Sequence, residues 1–349
     1  MTGISGRPRV TVVVSPRERF GMARQSLESI YASSDIPFEL VYVDARSPDW
    51  LSQWLKAESA KRGFRVIQRD RFVTPNEARN LGAAASTTDY IVFIDNDVVC
   101  SPGWLGTLVR TADETQASGV APLICEGEPQ TARVHQATGT FSGDKQAFFT
   151  ATHGDRELVD VMVHHKATLS KVRDQLRRQD TDVCEFHCLL VRRSFFEEIG
   201  RLDEELYATR EHIDFSMCVL KAGGRLIFEP ESEVTYVFPS RANPMTADDM
   251  PYFLLRWSPQ WQLRSLEHLQ QKWGLKRSGQ FAQFLDPDSL RWRHYEGYVK
   301  PIIRKLPVVR KSYRLSRAAR RVLNLYMDWK VGRLQAQYEN DRAKERQVA

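Results

Sequence analysis

The first hundred residues switch between two hydrophobic periods. "RVTVVV" is a nearly continuous apolar run rich in β-branched residues, the pattern of a strand buried on both faces. "FGMARQSLESIYAS" instead places Met22, Leu27, Ile30 and Tyr31 at helical spacing. "FELVYV" predicts a second strand, "WLSQWLKAESAKRG" a second helix and "FRVIQ" a third strand. In "TPNEARNLGAAAS" Thr74 stands as N-cap, Pro75 at the first helical position and Glu77 where a capping box needs it. "YIVFI" is the fourth strand. Strands alternating with helices imply βαβ units, hence an α/β fold with a mainly parallel sheet and helices on both faces.

The second half is less regular. "GEPQTARVHQATGTFSGDKQAFFTATHGD" carries hairpin-like turn signals, and "KATLSKVRDQLRRQD" has the composition of a charged helix. "VCEFHCLLVRRSFFEEIGRLDEEL" predicts a strand leading into a short helix, "TREHIDFSMCVLKAGG" a helix ended by glycines, and "RLIFEPESEVTYVF" two short strands. Beyond Pro239 the strand pattern stops and the chain turns helical and tryptophan-rich, which divides it into residues 1–238 and a helical C-terminal extension, 239–349. There is no internal repeat and no glycine-rich phosphate loop of the GxGxxG or GxxxxGK[ST] kind.

The polar residues of the first half fall in one place. Ser15 follows the first strand, Asp44 the second, Arg69 and Asp70 the third, and Asp95 the fourth. All lie at carboxyl ends of strands, the edge where open α/β sheets bind ligands. Asp95-Asn96-Asp97 is therefore either a turn former or a seat for a divalent cation. Residues at i and i+2 of an extended strand end point to the same side, so Asp95 and Asp97 share a face and Asn96 looks away, as a turn residue does.

Taken together, Asp44, Arg79-Asn80-Gly82, Asp95-Asn96-Asp97, Arg192-Arg193 with Gly200 and Asp203, and the helix start from Glu211 to Gly224 make the chain resemble the GT-A glycosyltransferases of family 2. The resemblance runs from about Val10 to Tyr236. It implies a Rossmann-like GT-A fold in which 8–125 bind the nucleotide sugar and 126–238 form the acceptor side. It further implies that Asp44 holds the base or ribose, that Arg79 and Asn80 line its pocket, that Ser15 lies at the same edge, and that Asp95 and Asp97 hold Mn2+ or Mg2+ and the donor diphosphate. The chemistry suits that assignment, because a hard dication on carboxylate oxygens neutralises a diphosphate leaving group. The implied activity is metal-dependent, inverting transfer from a nucleotide-sugar, a UDP-sugar first, to a glycan, lipid-linked or small-molecule acceptor.

Two departures stand out. Relatives carry Glu-Asp-x-Asp at the start of the late helix and use the first aspartate as base; here the motif reads Glu211-His212-Ile213-Asp214, with histidine at the base's position. Glu211 and Asp214 are spaced i, i+3 on one helix face, where they also serve as ordinary helix-start acids. The candidate bases are thus Glu211 first, Asp214 second and His212 third. Tyr236 stands near where relatives often carry a histidine, which puts a histidine metal ligand in doubt.

Composition adds limits. Hydrophobic content of 42% and charged content of 27% are those of a globular protein. No apolar run approaches the ~18 residues of a membrane span, and the N-terminal stretch has no signal-peptide pattern, so a cytoplasmic protein is expected. The five scattered cysteines read as reduced thiols rather than a disulfide framework; Cys184, His187 and Cys188 stand close enough to suggest zinc, but lack a second ligand pair. The net charge of +6 is concentrated in 297–327, which holds nine Lys and Arg and no acid, leaving 41 basic against 44 acidic side chains elsewhere. That stretch, with Leu306, Val308, Val309, Tyr313, Leu315, Val322, Leu323 and Leu325, is either a solvated face or a basic amphipathic surface for anionic lipid at the inner face of the membrane. No nucleic-acid partner is expected. His164 and His165 read as surface residues, Trp273 as core, and Trp257 and Trp261 as core or as acceptor platforms. The alternatives are a degenerate domain that binds nucleotide-sugar or scaffolds polysaccharide assembly, and a sugar nucleotidyltransferase, which the single glycine of "SPRERFGM" disfavours.

Overall fold

The structure, a computed structural model, describes residues 6–127, 132–239 and 243–348. Residues 1–5 of the N-terminal stretch and 128–131 of the turn-rich segment lie outside them. Twelve strands are present among the described residues: β1 Val10–Ser15, β2 Glu39–Ala45, β3 Arg65–Arg69, β4 Tyr90–Asp95, β5 Val98–Cys100, β6 Gly119–Glu126, β7 Arg133–Gln136, β8 Gly139–Phe141, β9 Asp160–Met162, β10 Gln179–Thr181, β11 Cys188–Arg192 and β12 Leu226–Tyr236. The main sheet runs β10-β12-β6-β11-β4-β1-β2-β3, with β5 on β12 and β7 on β6; β8 and β9 pair separately. The expected parallel sheet occupies the first half, where β1 to β4 all run parallel. β11 is antiparallel to both β4 and β6, and β6 runs parallel to β12. One reversed strand thus joins two parallel blocks, so the sheet is mixed.

Alternation along β1 and β4 sorts the core into two layers. Val12, Val14, Val92 and Ile94 pack with Leu27, Ile30, Leu51 and Trp104 on one face. Val13, Ile91 and Phe93 pack with Ala83, Phe196, Phe215 and Val219 on the other. The helix Pro75–Ala84 begins as its sequence requires: Thr74 accepts from the Glu77 N–H at 3.3 Å, with Pro75 in the first turn. The Glu77 carboxylate does not close the box; it binds the Arg71 guanidinium. Gly82 brings this helix onto β1, since a Cβ there would meet Val13 Cγ1 at 2.1 Å.

Two local expectations change. The charged helix is short, Leu169–Val172, because Leu169, Val172 and Leu176 are drawn into a cluster with Leu123 and Phe228 while Arg178 reaches Glu229. The last two strands are one strand, β12, with a register shift between Glu229 and Glu233.

After β12 every regular element among the described residues is helical. The helix Tyr313–Val348 lies back on the core, Met327 and Val331 against Phe253 and Leu254, and Tyr338 against Tyr207 and Trp261. Trp261 and Trp273 are buried. In the basic stretch Val309 and Leu323 are partly covered, but Leu306, Val308, Tyr313, Leu315, Val322 and Leu325 are exposed. No helix among the described residues is long and apolar enough to cross a membrane.

Gly82→Ala should force the helix Pro75–Ala84 away from β1. Overpacking of this kind costs about 1–3 kcal/mol, which urea unfolding should report as a lower midpoint at unchanged slope; an unchanged midpoint would mean that the contact relaxes freely.

Candidate functional site

The carboxyl edge of β1 and β4 gathers Ser15, Asp95 and Asp97, with Arg79 reaching Asp95. Ser15 pairs with Asp95 across the two strands, and the Asn96 N–H donates to the Ser15 carbonyl at 3.1 Å. Asp95 has no exposed surface. Its Oδ1 accepts from Arg79 Nη2 at 3.2 Å, and Arg17 Nη1 stands 3.2 Å from Oδ2, at ion-pair distance but off the hydrogen-bond direction. Asn96 behaves as a turn residue, its Oδ1 accepting from the Arg17 N–H at 2.8 Å and so fastening the loop after β1 to the turn after β4.

Asp97 differs from its neighbour. It is 2% exposed, and its Oδ1 has no hydrogen-bond partner among the described residues. Burial pushes its carboxyl up to about 7, Arg17 opposing and the Asp95 charge adding. Around it, Ser15 Oγ, Arg17 Nε and Arg19 Nη1 are likewise buried without a partner among the described residues. Leaving such groups unpaired costs about 1–3 kcal/mol each. A carboxylate, a hydroxyl and two guanidinium groups in this state fit a divalent cation with a bound phosphate, the carboxylate offering hard oxygen to the metal and the arginines N–H to the anion.

Arg79 continues inward. Its Nη1 lies 3.8 Å from Glu211 Oε1, and Arg256 Nη2 approaches the same oxygen at 3.6 Å. Arg256 Nη1 then reaches Glu18 at 3.3 Å, and the Trp257 Nε1–H donates to Glu18 at 2.7 Å. Burial alone would raise the Glu18 carboxyl, but Arg256 and Arg17 hold it down to about 2. A buried ionic chain thereby links β4, the helix Glu211–Lys221 and the extension beyond 239.

The remaining candidates point elsewhere. Asp44 is buried and accepts from Ser52 Oγ at 2.6 Å and from the Ser47 N–H at 3.3 Å, which ties down the loop after β2. Asn80 turns away from the edge to hold Leu202 and Glu204. Asp214 accepts from Lys272 Nζ at 2.8 Å and Trp273 Nε1 at 2.7 Å; burial raises its carboxyl, with Lys272 opposing. His212 keeps the most open side chain of the three, 20% exposed, with Nε2 3.7 Å from Glu185 Oε1. Glu211 and Asp214 are thus both engaged by cations, whereas His212 faces a carboxylate.

The same edge is covered from above. Phe20 N–H donates to Asp249 at 3.0 Å, Trp50 Nε1–H to Asp248 at 3.0 Å, and Arg19 Nη2 to the Asn243 carbonyl at 3.0 Å. Arg17, Glu18 and Arg19 escaped the sequence reading, although two arginines flanking an acid directly after the first strand were visible in "SPRERFGM". Arg256 left no such signal, its partners being far away in sequence. Cys184 and Cys188 are buried in the core, and neither belongs to the grouping of possible metal ligands among the described residues, although His187 does.

A family model described as "Glycosyl transferase family 2" matches residues 11–200. Polypeptide N-acetylgalactosaminyltransferase 3 of Mus musculus is 27% identical over 241 residues, 66% of this chain and 37% of that protein. The pre-mycofactocin glycosyltransferase of Mycobacterium tuberculosis is 30% identical over 174 residues, 49% of this chain and 32% of its own length. The chain therefore spans about a third of the curated relatives it matches. Among solved structures, a crystal structure of GalNAc-T7 with UDP, GalNAc and Mn2+ superposes with a TM-score of 0.52 at 16% identity, over 86% of this chain and 58% of that one, a likeness of fold.

Asp97 makes a pH prediction. Its carboxyl is raised from 3.8 to about 7 in the folded state, so the folded protein is favoured by the protonated form and penalised once the group ionises. In chelator, stability relative to Asp97→Asn should fall as pH rises from 3.8 to about 7 and level off above it. Added Mn2+ should reverse the fall above that pH. Thermal melts of both proteins across pH test it, and a difference flat in pH would rule it out.

Proposed function

Because the chain belongs to glycosyl transferase family 2, we propose that it transfers a sugar from a nucleotide-sugar donor to an acceptor hydroxyl, with inversion and with a divalent cation. The observation that carries this reading is the unpartnered Asp97 carboxylate, buried beside the unpartnered Ser15, Arg17 and Arg19 groups at the carboxyl edge of the sheet. That set suits a cation and a diphosphate together better than either alone. Asp97 is the principal ligand in this reading. Asp95, already held by Arg17 and Arg79, fixes the geometry or takes a second ligand position. When bound, Mn2+ or Mg2+ would neutralise charge on the departing diphosphate.

The chain's own residues would do the rest. Arg17 and Arg19 face the phosphates, and Asp44 sets the nucleoside end through the loop it ties to Ser47 and Ser52. His212 occupies the base's position. The acceptor oxygen attacks the anomeric carbon, its proton passes to the His212 ring, and the bond from that carbon to the phosphate oxygen breaks, releasing the nucleoside diphosphate. Glu185 beside Nε2 orients the imidazole so that Nδ1 takes the proton. Glu211 and Asp214 are positioning residues in this reading. UDP is the first nucleotide to try and a glycan, lipid-linked or small-molecule hydroxyl the acceptor. Residues 1–238 carry the catalysis, and 239–349 form an extension whose first part covers the donor edge and moves to admit the nucleotide. Donor binding without turnover would favour the sugar-binding or scaffold reading.

Transfer or donor hydrolysis should stop in excess chelator and return with Mn2+ or Mg2+. His212→Ala should cut transfer by at least ~10² while leaving donor affinity unchanged by calorimetry, and Glu211→Gln should lower the melting temperature more than the rate. Full turnover in chelator would remove the cation from the reaction. A dead Glu211→Gln beside an active His212→Ala would return the base to Glu211.

The exposed apolar side chains and nine positive charges of 297–327 support contact with anionic lipid. The full chain should sediment with phosphatidylserine vesicles and be released by salt. Replacing the exposed Arg314 and Arg317 by Glu should weaken sedimentation. No sedimentation at low salt would leave the stretch a solvated face.

A further inference from the structure

Glu185 belongs to a second group of polar side chains, outside the Asp95–Asp97 pair. His135 on β7, and Glu185 and His187 just before β11, each offer one ligand atom within 4.8 Å of the other two. His187 Nδ1 lies 3.2 Å from Glu185 Oε2, and the two imidazoles meet edge to face with centroids 4.8 Å apart. Tyr236 packs at a tilt against both, with centroids 4.5 and 5.4 Å away. The tyrosine thus occupies the place where an imidazole was in question, and two imidazoles pack against it, one from β7 and one from the residue before β11.

We propose that His135, Glu185 and His187 form a second cation site, for a divalent transition metal of the zinc class, distinct from the Asp95–Asp97 edge. Two imidazoles and one carboxylate are a ligand set that zinc-class ions prefer and Mg2+ does not. The edge at Asp97 offers oxygen alone and favours the harder ions. The supporting contacts are those of a built site. Glu126 Oε2 lies 3.1 Å from His135 Nδ1, and Lys166 Nζ holds the same carboxylate at 2.7 Å. A carboxylate on Nδ1 fixes the tautomer and leaves Nε2 as the ligand atom. The side chains of His135, Glu185 and His187 are 18%, 22% and 9% exposed, which leaves a route for the ion and a position for water or substrate. Glu185 Oε1 remains directed at His212, so an ion here would also hold the carboxylate that orients that ring.

The test uses the full chain, stripped of metal, and reads binding rather than activity, so it is independent of whether sugar is transferred. Zn2+ is titrated by calorimetry in excess Mg2+, with Co2+ absorption as a second probe of nitrogen ligands. One Zn2+ should bind per chain and should survive Asp97→Asn. His135→Ala and His187→Gln should each weaken binding by at least ~10-fold, with circular dichroism confirming that they fold. Zn2+ should also protect histidines of the unaltered protein from diethyl pyrocarbonate, a readout that needs no variant. Zn2+ affinity unchanged in both histidine variants, loss of binding in Asp97→Asn, or no protection in the unaltered protein would each overturn the site.

Discussion

A guanidinium with no exposed surface has to be compensated where it lies, and in this protein that group is Arg79. Burial pulls its proton affinity down, and Asp95 and Glu211 hold it up. The Phe186 ring beneath it, 4.4 Å from the guanidinium carbon, adds a cation–π contact. Removing one partner from such an arrangement costs about 3–5 kcal/mol, because the other charge is then stranded. Both carboxylates must therefore arrive together, which fixes the end of β4 against the start of the helix Glu211–Lys221. Gly82 supplies the other half of the constraint by letting the helix that carries Arg79 lie directly on β1. Arg256 repeats the arrangement one step outward, between Glu211 and Glu18, and fastens the extension to the same network.

The network also explains why three polar residues in one helical turn are not interchangeable. Glu211, the first of them, faces the buried arginines. Asp214, nearly one turn on, faces the helix Pro259–Trp273 through Lys272 and Trp273. His212 between them is directed toward Glu185 and is more exposed. A carboxylate engaged by cations is a weaker proton acceptor than a free one, and withdrawing it from its ion pairs would leave those arginines buried and unpaired. Of the three, the imidazole alone is free of a cationic partner among the described residues.

Much of this was legible in the chain. The strand–helix alternation, the N-cap at Thr74 and the gathering of Ser15 and Asp95 at one edge all rest on local patterns, and local patterns are what a sequence displays. The reversed strand β11 was not legible, because its apolar run is that of any buried strand and direction is set by its neighbours. The hydrogen bonds of Asn80 and Asp214 go to Leu202 and Trp273, partners that only tertiary packing reveals. Arg256 and His135 were missed for the same reason. Arg17 and Arg19 are a different matter, since a loop with two arginines directly after the first strand was in plain view.

The covering of the edge completes the physical picture. Ser15, Asp44, Asp95 and Asp97 are each no more than 2% exposed, which open solvent would not produce at a sheet edge. The segment above them is held by Asp249 on the Phe20 N–H, Asp248 on Trp50, the Asn243 carbonyl on Arg19, and Glu18 on Trp257 and Arg256. These are mostly polar contacts, and several use arginine N–H groups of the kind a phosphate also takes. Tyr252 is the apolar exception, stacked on Phe72 at 5.2 Å with its hydroxyl on the Val73 carbonyl. An apolar cover would lose all of its burial on lifting, whereas polar contacts are recovered from water or from an anion at little net loss. The cover is thus anchored at Tyr252 and held over the arginines by bonds that an anion can replace.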